Sequence, residues 1–158
     1  MEKFKIVLVN PMIPPNTGNI ARTCAATNTE LHLVGDLGFL LGEKQIRRAG
    51  LDYWKNVNLN VYPDAESYLT ELGNKSFHLF TTKTDRLYTE AEYNEGDYLV
   101  FGSETKGLSE EILNKYPDRL RNIPMNRSNV RSLNLSNCAG IVLYEALRQT
   151  NFQQVNHS

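Results

Sequence analysis

The sequence predicts an α/β domain: a mostly parallel six-stranded sheet flanked by helices. Three observations carry this. Short β-rich runs recur at 4–9, 31–34, 58–62, 77–81, 97–101 and 119–123, and several are apolar enough for strands buried on both faces. Segments with helical spacing and helix-end residues separate most of them, and such alternation favours crossover connections and parallel pairing. The length of 158 residues suits one domain, 1–158, with a sizeable core.

The first strand, Phe4–Val9, is followed by Asn10-Pro-Met-Ile-Pro-Pro-Asn16, read as a stiff loop because of its three prolines. Asn16 or Thr17 is expected to cap a helix reaching about Asn28. A second strand, Leu31–Val34, ends at Gly35, and a short helix over Glu43–Ala49 closes at Gly50. After the strand Asn58–Tyr62, Pro63-Asp64 opens a helix with Ala65, Tyr68, Leu69 and Leu72 on one face, ended by Gly73. Strands at Phe77–Thr81 and Asp97–Phe101 flank a polar connection without clear period. Ser109 caps the next helix, and Glu110 and Glu111 complement its dipole. A sixth strand, Arg119–Ile123, stops at Pro124. Ser136 is read as the cap of a last helix through Leu147, apolar enough to be buried on more than one side. The tail, Thr150–Ser158, is expected to fray.

Composition narrows the function. Net charge is −1, so bulk electrostatics gives no argument for nucleic acid. No apolar run approaches the ~20 residues of a membrane span. The N-terminus enters a strand directly, without the apolar core of a signal peptide. Cys24 and Cys138 both fall in predicted helices, which suits buried thiols in a reduced, cytoplasmic protein. His32 and His78 lie singly in strands and His157 in the tail, so no metal-ligand spacing is present. Charge is unevenly spread, however. No Asp or Glu occurs from Arg119 to Tyr144, whereas Arg119, Arg121, Arg127 and Arg131 do; Lys44, Arg47 and Arg48 form a second basic group. Any one such cluster is ordinarily solvated surface.

The most informative stretch is Asn122–Glu145. Its loop carries Asn126, Arg127, Ser128, Asn129, Arg131, Ser132 and Asn134, which suit water or a ligand rather than a core. In parallel sheets ligands bind beyond the carboxyl ends of the strands. That rule brings together Asn16–Arg22, Gly102–Gly107 and Asn122–Asn134. No Gly-x-Gly-x-x-Gly follows a strand, and no P-loop, nucleophile elbow or His-based triad is evident.

Asn16-Thr-Gly-Asn-Ile-Ala-Arg22, Phe101-Gly-Ser-Glu-Thr-Lys-Gly-Leu108 and Ile123-Pro-Met with Arg131-Ser-Leu-Asn-Leu-Ser-Asn137 and Tyr144-Glu145 resemble the three motifs of the SpoU branch of the SPOUT RNA methyltransferases. Arg47-Arg-Ala-Gly-Leu-Asp-Tyr53 is similar to the small bacterial members that methylate the wobble ribose of tRNA. The resemblance implies the SPOUT fold with a C-terminal trefoil knot, and a homodimer. It also implies S-adenosylmethionine as methyl donor, with no metal, held largely by backbone at Phe80, Gly102, Ile123, Ser132 and Leu133. The catalytic neighbourhood would be Asn16, Arg22, Glu104, Ser132 and Asn134, with Tyr144 joining it. Arg47, Arg48, Arg127 and Arg131 are candidates for RNA phosphates. A first strand beginning by residue 4 leaves no room for the extra N-terminal domain of ribosomal members, which favours tRNA. The same chemistry on another RNA, and an RNA-binding module without catalysis, are the competing expectations. Guanidinium groups rarely deprotonate in proteins, so Arg22 is read as binding phosphate or alkoxide rather than taking the proton.

Overall fold

The computed structural model of the protein describes residues 1–39 and 54–156. Its elements are β1 (Lys5–Val9), α1 (Pro14–Thr27), β2 (Glu30–Val34), β3 (Leu59–Tyr62), α2 (Ala65–Leu72), β4 (Phe77–Phe80), β5 (Tyr98–Phe101), α3 (Glu110–Lys115), β6 (Leu120–Arg121) and α4 (Leu135–Gln149). The sheet order is β3-β2-β1-β5-β4-β6. Every pairing in it is parallel, so the expected mostly parallel sheet is wholly parallel among the described strands.

Alternation along β1 shows how the layers form. Ile6 and Leu8 pack with Ile20, Ala21 and Cys24 of α1 and Ala139, Val142 and Leu143 of α4. Val7 and Val9 point the other way, into a cluster with Tyr68 and Leu69 of α2 and Leu113 of α3. A strand covered on both faces must be apolar throughout, which is why β1 shows no polar alternation. From β1 the chain moves to β2 on one side, while β5 leads towards β4 and β6 on the other. The crevice outside β1 and β5 is therefore the switch point where ligands bind in such sheets. No helix among the described residues is long and apolar enough to cross a membrane. Both cysteines are free thiols.

Several boundaries differ from expectation for physical reasons. Helix α1 starts at Pro14, not at Asn16 or Thr17, with Ile13 in the cap position and no side-chain cap. Pro14 and Pro15 are tolerated because first-turn amides have no intrahelical acceptor. The last helix is capped by Asn134, not Ser136: the Asn134 amide oxygen accepts from the amide N–H groups of Ser136 and Asn137 and from the Ser136 hydroxyl. Strand β6 has only two residues, since Asn122 leaves the sheet to bridge the 86–88 segment. The tail does not fray through its described part. Gln154 is buried, accepts from the Phe4 amide at 2.9 Å, and donates to the Thr27 carbonyl at 2.8 Å. Helix α4 buries one side only, leaving Ile141 and Tyr144 exposed. The helix expected over 43–49 lies outside the described residues.

His32 is a structural group with a pH signature. Its Nε2–H donates to Glu30 at 3.1 Å, leaving Nδ1 to accept the Tyr68 hydroxyl at 2.6 Å. That arrangement satisfies a neutral ring. Burial holds the His32 pKa below its ordinary 6.5, with the Glu30 hydrogen bond opposing in part. Below that ordinary value the unfolded chain takes up a proton that the fold resists, so stability falls as pH drops, levelling only below the folded pKa. A His32→Gln variant should therefore lose less melting temperature than wild type between about pH 7 and pH 5. Parallel slopes for the two proteins would show that His32 does not govern acid stability.

Candidate active site

The β1 and β5 loops meet over the Glu104 side chain. Its Oε1 accepts the Met12 amide at 2.9 Å, and its Oε2 accepts the Ile13 amide at 2.7 Å. The same Oε2 accepts Asn16 Nδ2 at 3.3 Å. Asn16 is buried and passes the connection on: its Oδ1 accepts Asn134 Nδ2 at 3.1 Å. One polar chain, Glu104–Asn16–Asn134, thus ties the β5 loop to the N-termini of α1 and α4. The carboxylate, carried by the loop of the neighbouring strand, accepts the Met12 and Ile13 amides just ahead of α1 and so fixes where the helix starts. Where amides converge on a carboxylate in this way the bonds are charge-assisted and short.

Beside this chain lies a cleft of about 630 Å³. Phe80, Gly102, Glu104, Ile123, Ser132 and Leu133 line it, as does Arg131. The sequence had singled out all seven. Phe80 and Phe101, neighbours on β4 and β5, stack at 4.9 Å under it. Gly102 has no room for a side chain: a Cβ there would lie 2.0–2.5 Å from the backbone of Gly107 and Leu108. The loop folds back because the Gly107 amide donates to the Ser103 carbonyl at 3.0 Å and Gly107 adopts φ +65°. A methyl group at residue 102 would force this turn open.

Other expected residues stand apart. Arg22 is exposed on α1, six residues beyond Asn16 and so about 9 Å along the helix axis, and it does not line the cleft. Tyr144 is 50% exposed on α4, with its ring near Phe152. Arg127 is exposed and donates from Nη2 to the Thr82 carbonyl, fastening the 126–130 loop to the end of β4. Arg47 and Arg48 lie outside the described residues.

Some lining residues had no role assigned from the sequence, although Lys106 and Asn122 fall within the stretches expected at the site. Lys83 and Lys106 add positive charge to the cleft, and Lys83 pairs with Glu110. Cys138 lines the wall; burial pushes its thiol up to about 11, so at neutral pH it is an apolar filler rather than a nucleophile. Asn122 is buried, and among the described residues its Oδ1 has no hydrogen-bond partner. The position of Thr82–Lys83 just past β4 was the available signal for the first of these.

A second cleft of about 600 Å³ opens on the other side of the Gly102–Gly107 loop. Asp36, Asp64, Glu66 and Glu111 outnumber Lys106 and Lys115 there, a balance that disfavours a polyanion.

The cofactor expected from the sequence can be tested against the cleft. A volume of this size is ordinary for a small-molecule site. Phe80, Ile123 and Leu133 offer apolar walls for a nucleobase, Gly102 allows close backbone approach, and the orphaned Asn122 acceptor suits an amino or ammonium group. S-adenosylmethionine, which carries an adenine and an amine, fits these residues.

Residues 3–144 match the model of the SpoU rRNA methylase family. The chain is 49% identical over 150 residues to a tRNA (cytidine(34)-2'-O)-methyltransferase of Methylovorus glucosotrophus, covering 94% of this chain and 97% of that protein. A solved structure reported as "Structural insights into the 2-OH methylation of C/U34 on tRNA" superposes with TM-score 0.88 at 42% identity, over 95% of this chain and 97% of that one. An S-adenosylmethionine-bound rRNA methyltransferase of Sinorhizobium meliloti shares the fold, with TM-score 0.82 at 24% identity, over 92% of this chain and 56% of that one.

Proposed function

This chain belongs to the SpoU rRNA methylase family, and we propose that it transfers a methyl group to the ribose 2'-hydroxyl of the wobble pyrimidine in tRNA. The observation that carries this reading is the cleft itself: a glycine-floored cofactor pocket fused to the Glu104–Asn16–Asn134 chain. The similarity of the whole chain to the Methylovorus enzyme favours tRNA position 34 over ribosomal RNA.

S-adenosylmethionine, when bound, supplies a methyl on a cationic sulfur. The residues of the chain do the rest by positioning and charge. Phe80, Gly102, Ile123, Ser132 and Leu133 hold the cofactor. Glu104 and Asn16 fix the loop over which the ribose must approach. Asn134 orients the N-terminus of α4 towards the same point. Arg131 lines the cleft and binds a phosphate beside the target; Arg127, Arg47 and Arg48 are the further candidates for phosphate contacts. Arg22 stabilises developing charge on the 2'-oxygen or grips the neighbouring phosphate.

Neither Arg22 nor Tyr144 reaches the cleft of its own chain, and both lie on helices α1 and α4, which pack together. Exposed Ile141, Tyr144 and Phe152 give this surface an apolar character. A homodimer joined through it would carry Arg22 and Tyr144 towards the partner's cleft. The trefoil knot belongs to the same reading, with the 81–96 connection lying against Asn122 as the chain passes into α4. The enzyme works in the cytoplasm, where its substrate is.

Titration with S-adenosylhomocysteine should raise the melting temperature, because the ligand binds only the folded state. Labelled methyl from S-adenosylmethionine should then appear in total tRNA and not in ribosomal RNA. No thermal shift at saturation, or label confined to ribosomal RNA, would overturn the assignment.

A further inference from the structure

We propose that Met12 and Ile13 form the platform on which the target nucleobase rests, an inference that depends on the RNA methyl-transfer reading above. These adjacent side chains are 44% and 41% exposed. Single exposed apolar residues are ordinary, but a neighbouring pair at the mouth of a polar site needs an occupant. The pair sits in the β1 loop, at the switch point of the sheet.

The platform is rigid. Glu104 holds both of its amides. Pro11, Pro14 and Pro15 restrict the backbone around it. Behind it, the Gly38 amide donates to the Pro11 carbonyl at 2.9 Å, and a Cβ on Gly38 would come within 3.0 Å of Met12 Cα. The Thr105 hydroxyl donates to Met12 Sδ at 3.3 Å, and Thr105 lines the cofactor cleft. Met12 therefore stands between the two clefts: it lines the second one, and its sulfur meets Thr105 at the edge of the cofactor cleft, beside the loop that carries Glu104.

A ribose delivering its 2'-hydroxyl to the seam of Glu104 and the cleft must send its base outwards, to the rim. A thioether and a branched alkyl group can cover one face of a base but read none of its hydrogen-bonding edges. The platform thus binds cytosine and uracil alike, and the choice of nucleotide is left to other contacts. Other exposed apolar positions fit this role less well. Val61 is on β3 at the far edge of the sheet, and Ile141, Tyr144 and Phe152 form the α4 surface.

The test compares the full-length wild type with the double variant Met12→Ala/Ile13→Ala and with Met12→Phe, on tRNA carrying C or U at the target position. For the double variant KM for tRNA should rise about tenfold with either base, while kcat and S-adenosylhomocysteine affinity stay within about twofold. Met12→Phe, with a larger flat face, should hold or lower KM. An unchanged KM in the double variant overturns the platform. So does a loss of S-adenosylhomocysteine binding, which would make the pair scaffolding only, or a KM defect that disappears with protein concentration, which would make it a contact between copies. If the wild type itself methylates no RNA, the functional reading falls and the platform with it, an outcome separable from any behaviour of the variants.

Discussion

Gly102→Ala is expected to weaken cofactor binding severely while leaving the sheet folded. The added Cβ would meet the backbone carbonyl carbon of Gly107 at 2.0 Å and the Leu108 amide nitrogen at 2.2 Å. Backbone cannot rotate aside as a flexible side chain can, so the Ser103–Gly107 turn must open. That turn forms the floor of the cleft, and displacing a site by 1 Å typically costs about 100-fold in rate. Calorimetry with S-adenosylhomocysteine should show affinity falling by about 100-fold or more, with circular dichroism unchanged. The sheet should survive because Gly102 lies past the end of β5 and contributes nothing to its ladder. Near-normal affinity in this variant would mean that the cofactor does not lie over Gly102.

Glu104→Gln is expected to cut methyl transfer by about 100-fold through lost positioning. Three N–H groups converge on the Glu104 oxygens. A glutamine offers one oxygen and turns an NH₂ towards a backbone N–H, losing charge-assisted bonds worth about 1.5–3 kcal/mol each. The start of α1 then loosens, Asn16 loses its anchor, and the ribose approach is disordered. A residue acting this way differs from a proton acceptor in its pH profile. The Gln variant should keep the shape of the wild-type rate–pH curve at a lower plateau, and bind S-adenosylhomocysteine within a few-fold of wild type. Disappearance of the acidic limb in that curve would instead identify Glu104 as the base.

Much of this was legible from the chain because it is written in local pattern. The apolar runs gave the strands, since a parallel sheet buried on both faces leaves no other option. Ser109 was recognisable as a cap and Asp64 as a helix start, and in the fold each accepts from an amide three residues on. The cleft residues were legible from three motifs and the rule that ligands gather beyond strand ends. What escaped was set by distant contacts. Ser136 has the composition of a cap, yet its hydroxyl donates to Asn134, which also holds Asn16 from 118 positions away. The start of α1 could not be located locally because its acceptor, Glu104, lies 91 residues from Ile13. Gln154 looked like tail until its amide met Phe4 and Thr27 at the opposite end of the chain. Arg22 and Tyr144 matched motifs but lie outside the cleft of their own chain, a separation that a local pattern does not record.

If the cleft delivers a methyl group to a ribose oxygen, removing that oxygen must abolish the reaction. The most direct measurement uses a tRNA anticodon stem-loop with cytidine at position 34, alongside the same RNA carrying 2'-deoxycytidine there. With labelled S-adenosylmethionine, 2'-O-methylcytidine should appear at position 34 in the first RNA and no label in the second. Equal labelling of both RNAs, or a methyl group recovered on a base, would contradict methyl transfer to the ribose oxygen.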